Sequence, residues 1–211
     1  VLTVYLEAGL VAAGLGLALQ VYERGSFMAG GEFFFVDAFN IYLAVLTAFV
    51  SMTTAIFSRR YMRREREHGR VGHVGMRFYH AMFQLFIFAM LLCLLTNNVG
   101  ILWIAMELAT LSTVLLVSLY RTPTAIEAAW KYFILCGVGI AQALFGTVLL
   151  YFAAEKVLGA GGEALLWTNL SQVSDQLEPT ILSLAFVFLM VGYGTKVGLV
   201  PVHNWLPDAH S

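Results

Sequence analysis

At 211 residues, with 60% hydrophobic side chains, 12% charged and a mean hydropathy of +0.80, the chain carries more apolar surface than a soluble domain of its size can bury. Several runs reach the ~20 apolar residues that a helical span of the hydrocarbon core requires, and no alternating strand pattern supports a membrane barrel. The formal charge of −1 decides nothing, because the place of a charge matters more than the sum; nothing in it suggests a nucleic-acid partner.

The spacing predicts an all-α, polytopic transmembrane helix bundle of about six spans, with the last one discontinuous: residues 2–22, 36–61, 78–95, 99–119, 124–154 and 180–205. The chain opens on VLTVYLEAGL, without an initiator Met or a basic leader, so it reads as a chain entered partway through rather than as a signal peptide. The first span is rich in Ala, Gly and Leu, and Glu7 near its start reads as an interfacial carboxylate, since charges close to helix ends reach water cheaply. A connector, ERGSFMAGGEFF, leads to the second span, where Asp37 is placed to cap the helix.

Residues 58–77 hold Arg59, Arg60, Arg63, Arg64, Arg66, Arg70 and Arg77 against Glu65 and Glu67, and read as an Arg-rich cytoplasmic loop anchored on lipid headgroups. The third span ends at the polar turn Thr96-Asn97-Asn98, and the fourth at Tyr120-Arg121-Thr122-Pro123, with the proline at a new helix start. The fifth run is long enough to tilt or protrude. Residues 155–179, Gly-rich and mildly acidic, read as an external loop, and Cys93 and Cys136 as buried free thiols.

Three buried charges stand out. Glu107 falls near the middle of the fourth span, where an ionised carboxylate costs at least a few kcal/mol and must be protonated, paired or hydrated. Thr110 shares its helix face. Lys131 lies on the fifth helix with Glu127 four residues before and Gln142 eleven after, a polar stripe on one face. Lys196 sits where Gly192, Gly194, Gly198 and Pro201 weaken the sixth span, so a helix break and a wet pocket are expected beside it, with a freed backbone carbonyl. His203 and His210 follow as relay candidates. The expectation is proton chemistry among carboxylates and amines, with no metal and no cofactor.

The stretches WIAMELATLS, RTPTAIEAAWKYFILCGVGIAQALFGTVLLY and GTKVGLVPVHNWLPDAHS resemble the antiporter-like proton-translocating membrane subunits of complex I-related complexes, in particular hydrogenase-4 component F and the matching subunits of formate hydrogenlyase. The likeness runs over residues 35–211, and three motifs in order make it specific. It implies that Glu107 and Lys196 form the central pair of a proton half-channel with Lys131 nearby, and that the sixth helix is discontinuous. It also implies an inverted-repeat fold with further helices, a His or Lys relay and a second half-channel beyond Ser211, and one helix before the first span.

The partners implied are other membrane subunits, a peripheral redox arm of hydrogenase or NADH dehydrogenase type, and lipid; the place implied is a bacterial or archaeal inner membrane. No redox centre is implied in the chain itself. Two other readings are a subunit of a multi-subunit cation/proton antiporter or inorganic-carbon uptake system, and a structural spacer, against which the buried Glu107, Lys131 and Lys196 argue.

Overall fold

The computed structural model describes residues 2–210. Among them six helices are long and apolar enough to cross a membrane: α1 (Leu2–Arg24), α2 (Ala38–Glu67), α3 (His73–Leu95), α4 (Val99–Val117), α5 (Pro123–Leu158) and α7 (Pro179–Val197), with short helices α6 (Trp167–Val173) and α8 (Leu206–His210) between and after them. The chain is therefore a multi-pass helical membrane protein. A small antiparallel hairpin, β1 (Phe27–Ala29) and β2 (Phe34–Val36), occupies the α1–α2 connector, with Phe27 opposite Val36.

Four of the long helices start on a side chain that accepts from their first free N–H groups, while α3 starts after Gly72 without one. Asp37 forms a capping box with Asn40 on α2, Asn98 accepts from Gly100 and Ile101 on α4, Thr122 caps α5 ahead of Pro123, and Glu178 accepts from Thr180 and Ile181 on α7. Consecutive helices pack against each other from α1 to α5; α7 lies along α5, and α8 docks on α5 as well.

The residues expected as a cytoplasmic loop are in large part helix. Arg59 to Glu67 prolong α2, whose cap at His68 donates to the carbonyls of Arg64 and Arg66, leaving residues 68–72 as the turn. Arg and Glu are good helix formers, and Arg beyond the apolar zone has no reason to end the helix. Glu65 bonds Arg70 across that turn at 3.2 Å. This run marks what is called below the Arg end of the bundle.

The opposite end is held by a polar knot. Asn97 is buried; its Nδ2 donates to the Glu32 carbonyl (3.1 Å) and to Thr168 Oγ1 (3.0 Å), its Oδ1 accepts from the Thr168 N–H (3.2 Å), and its own N–H reaches the Phe33 carbonyl (2.9 Å). One side chain thus ties the hairpin, the α3–α4 turn and the start of α6. The segment 155–179 is correspondingly structured: Ala164, Leu170 and Leu177 are buried against Ala153 and Ala154 of α5. Asn97→Ala is expected to strand two of these polar groups at about 1–3 kcal/mol each, read as a lower thermal midpoint and faster hydrogen exchange at the Thr168 amide.

The α5–α7 contact decides where Lys196 sits. Gly192 belongs to it: a Cβ there would lie 2.6 Å from the Ala143 Cβ and backbone nitrogen and 2.7 Å from the Gly139 carbonyl oxygen. Small residues let membrane helices approach this closely. Gly192 and Gly194 consequently stay inside α7 and do not break it, contrary to the expectation from helix propensity. The break comes at Gly198, which ends α7 in the left-handed region (φ 81°), and residues 198–205 run non-helically through Pro201 to α8, so the sixth span is shorter than residues 180–205.

Candidate functional site

α4 and α7 meet at their polar positions. Lys196 Nζ lies 3.4 Å from Glu107 Oε2 and also donates to Thr110 Oγ1; the lysine side chain is 7% exposed and the glutamate 21%. Thr110 stands one turn beyond Glu107 on α4, so both face the lysine from the same side. Its hydroxyl in turn donates to the Met106 carbonyl (2.9 Å). The lysine reaches this position because α7 stops one residue later, so the side chain faces inward at the end of a helix.

The broken segment folds back onto that end. Trp205, buried, donates from Nε1 to the Thr195 carbonyl (2.8 Å) and stacks on Tyr132 with ring centroids 4.6 Å apart. Tyr132 shares a hydrogen bond with Thr113 (2.8 Å). The carbonyl expected to be freed is that of Val197, four residues before Pro201; at the helix end itself Gly194 O accepts from the Gly198 and Leu199 N–H groups, and Thr195 O from the indole. Beside the pair lies a cavity of about 440 Å³ whose wall includes Thr110, Thr113, Tyr132, Lys196 and Trp205. Phe86, Met90, Met106, Leu116 and Val117 make the rest of that wall largely apolar, so the hydroxyls and the amine are isolated polar groups within it.

Lys131 is not part of that pair. It is half exposed and bonds two carboxylates at 2.9 Å each, Glu127 on the preceding turn and Asp208 of α8. Gln142, expected on the same stripe, is half-buried and makes no hydrogen bond among the described residues. Asp208 was not singled out by sequence reasoning; no local pattern links residue 208 to residue 131, and only the fold-back after Gly198 brings them together. His203 lies in the non-helical segment, with its Nδ1 buried and without a hydrogen-bond partner among the described residues. His210 ends α8, and the relay expected of its side chain lies outside the described residues. Asp208→Asn is expected to loosen α8, seen as faster proteolysis and hydrogen exchange over residues 206–210, with little change in thermal midpoint, since exposed ion pairs contribute little.

Glu7 departs most from expectation. It is 1% exposed rather than interfacial, because α3 brings Gln84 Nε2 within 2.7 Å of its Oε1 and α2 brings the Ser51 hydroxyl onto Oε2. Those partners lie 44 and 77 residues away along the chain, so only a signal of helix packing could have found them.

The sequence signature of the NADH:quinone oxidoreductase/Mrp antiporter transmembrane family matches residues 96–211, the stretch that holds both α4 and α7. A hydrogenase-4 component F homolog from Methylacidiphilum infernorum is 51% identical over 181 residues, covering 86% of this chain and 38% of that protein. NADH-quinone oxidoreductase subunit N from Herminiimonas arsenicoxydans is 29% identical over 99% of this chain and 41% of its own length. The fold matches a chain of an archaeal membrane-bound sulfane sulfur reductase with a TM-score of 0.81 at 23% identity, over 98% of this chain and 41% of that one. The chain thus spans well under half the length of the relatives it matches.

Proposed function

The chain belongs to the NADH:quinone oxidoreductase/Mrp antiporter membrane family, and from that premise we propose that it is a proton-translocating, antiporter-like subunit of a redox-driven membrane complex of hydrogenase or NADH:quinone oxidoreductase type. The observation that carries the reading is the 3.4 Å contact of Lys196 with Glu107 inside the bundle.

Magnitudes favour a proton switch over a structural clamp. At 3.4 Å two unit charges attract by about 5 kcal/mol for an effective dielectric of 20, and removing each ion from water costs several kcal/mol, so the ionised pair is close to balance. Doubling the separation halves the attraction; the lost ~2.4 kcal/mol is worth about 60-fold in a protonation equilibrium. A small displacement of either helix end therefore suffices to pass a proton on. The redox arm, or the subunit next to it, would supply the displacement.

In this reading Glu107 and Lys196 hold the proton, while Thr110, Thr113 and Tyr132 supply the polar groups of the cavity beside them. Lys131, with Glu127 and Asp208, forms the next basic site toward the Arg end, and His203 bears a free ring nitrogen suited to relay; His210 and Gln142 would extend the relay beyond these. The helix break at Gly198 and Pro201, with Gly192 and Gly194 in the packed helix before it, sets the lysine's position. The Arg end faces the cytoplasm by the positive-inside rule, which puts residues 155–179 outside, in a bacterial or archaeal inner membrane. Other membrane subunits and lipid surround it.

The Mrp-type relatives within the family favour a second reading, exchange of a cation for protons. Vesicles containing the assembled complex separate the two. Lumen acidification that follows redox turnover in sodium-free buffer is expected; cation movement that needs sodium and ignores redox turnover would refute the redox-coupled reading.

A further inference from the structure

The first three helices enclose a second acid–hydroxyl cluster that the Glu107–Lys196 pair does not use. α1 carries Thr3 and Glu7 one turn apart, and α3 carries His80 and Gln84 one turn apart, so the two helices face each other through two polar rungs. Thr3 Oγ1 meets His80 Nδ1 at 3.2 Å, and Gln84 Nε2 donates to Glu7 Oε1 at 2.7 Å. Ser51 of α2 closes the third side against Glu7 Oε2. Among the described residues no cation contacts Glu7.

Burial without a cationic partner favours a proton on this carboxyl. The Ser51 hydroxyl owns one hydrogen and has two acceptors in reach, Glu7 Oε2 and the Ala48 carbonyl at 2.8 Å. A carboxylate would accept that hydrogen at little cost to the carbonyl, which sits in the α2 backbone ladder. A carboxylic acid instead donates to Ser51 Oγ, which passes its own hydrogen to Ala48, while Oε1 accepts from Gln84. Both forms pair every polar group; what separates them is the charge, which in the ionised form meets no cation among the described residues. An ionised carboxylate here, 1% exposed and unpaired, would cost several kcal/mol.

A way in lies on the same side. Both rungs are ordered alike along α1 and α3, with Thr3–His80 nearer the Arg end. Beside that rung is a cavity of about 250 Å³ whose lining includes Thr3, His80, Arg59, Arg63 and Arg66. Arg59 follows Ser51 by eight helical residues, about 12 Å. The clustered arginines hold no carboxylate partner among the described residues, and the imidazole of His80 is the group on this wall that can both take up and release a proton.

We infer that Glu7 is a second proton-holding carboxyl, filled and emptied from the Arg end through His80 and Thr3, and distinct from the Glu107–Lys196 site. The inference rests on local geometry and stands or falls separately from proton translocation by Lys196.

Infrared spectroscopy of the assembled protein tests it, because a protonated carboxyl has its own C=O stretch. The band is expected to lose one component in Glu7→Gln, and the deuterium shift of that component after transfer to heavy water is expected to slow on the order of a hundredfold in His80→Leu, the scale on which a positioned proton carrier contributes. An unchanged band in Glu7→Gln overturns the protonated acid; an unchanged exchange rate in His80→Leu overturns the route. Should Glu7→Gln fail to assemble, Ser51→Ala gives the same decision: removal of the acid's acceptor shifts the component if Glu7 is protonated, and an unshifted band refutes it. Proton transport by Lys196 enters none of these readouts.

Discussion

Lys196→Ala is expected to lower proton transfer by the assembled complex by about 10²–10⁴-fold, the contribution typical of one positioned proton-transfer group, while helix content and assembly persist. The expectation follows from placement: Lys196 is nearly closed off from solvent, contacts Glu107 and Thr110, and lines the cavity beside Tyr132. With the lysine gone, Glu107 loses its cationic partner and is left holding its proton, because an uncompensated buried charge costs about 3–5 kcal/mol. Glu107→Gln makes the complementary defect, since the amide keeps the shape but takes up no proton. If the two side chains act as a unit, the double variant is no worse than either single one, as interlocked groups are strongly non-additive. Dye-monitored acidification of vesicles measures all three, and parent-like pumping by Lys196→Ala and Glu107→Gln would remove the pair from the mechanism.

The second large effect needs only one methyl group. Gly192→Ala places a Cβ 2.6 Å from the Ala143 backbone nitrogen, an atom that has no rotamer to move into. The helices must separate, and overpacking of this kind costs about 1–3 kcal/mol. Because α7 delivers Lys196 one turn later, separation at Gly192 also shifts the ammonium away from Glu107, so thermal stability and proton transfer are expected to fall together. Gly137→Ala is the control: its added Cβ meets nothing within 4 Å, and it is expected to gain up to about 1 kcal/mol of helix propensity. A Gly192→Ala protein with parent stability would show that the α5–α7 approach is looser than described.

The depth of Glu107 and Lys196 in apolar runs marked each as needing a partner, while their pairing with each other was implied by the family resemblance, since the residues alone left Lys131 open as well. The helix count was legible because the length of an apolar run follows from membrane thickness. What escaped was whatever depends on which helix lies beside which. Glu7 is only five residues past Leu2, where distance from the helix end suggests water, yet Ser51 and Gln84 bury it. Gly192 has two physical uses, a weak point in a helix or a gap for a neighbour, and its sequence context does not choose between them; Ala143 on the partner helix does. The arginines after Ser58 announced an end of the bundle but not the continuing helix, because charge reports where the membrane stops and not where the hydrogen-bond ladder stops. Asn97 looked like one member of a polar turn, and its role as a tie among three segments needed the hairpin and α6 in place.

The early end of α7 at Val197 does more than position a side chain. A helix that stops inside a bundle leaves the carbonyl end of its dipole there, at most roughly half a negative charge and less here, because Gly194 O and Thr195 O accept from the Gly198, Leu199 and Trp205 N–H groups. Lys196 belongs to that last turn, so its ammonium has two anionic neighbours of different kinds: Glu107, which can be neutralised by a proton, and the helix terminus, which cannot. In the proposed switch the lysine would keep some electrostatic support when Glu107 takes up a proton, and the swing between loaded and empty states would be smaller than a bare ion pair would give. On that proposal the interrupted helix would act as a fixed partial counter-charge that keeps the site reversible.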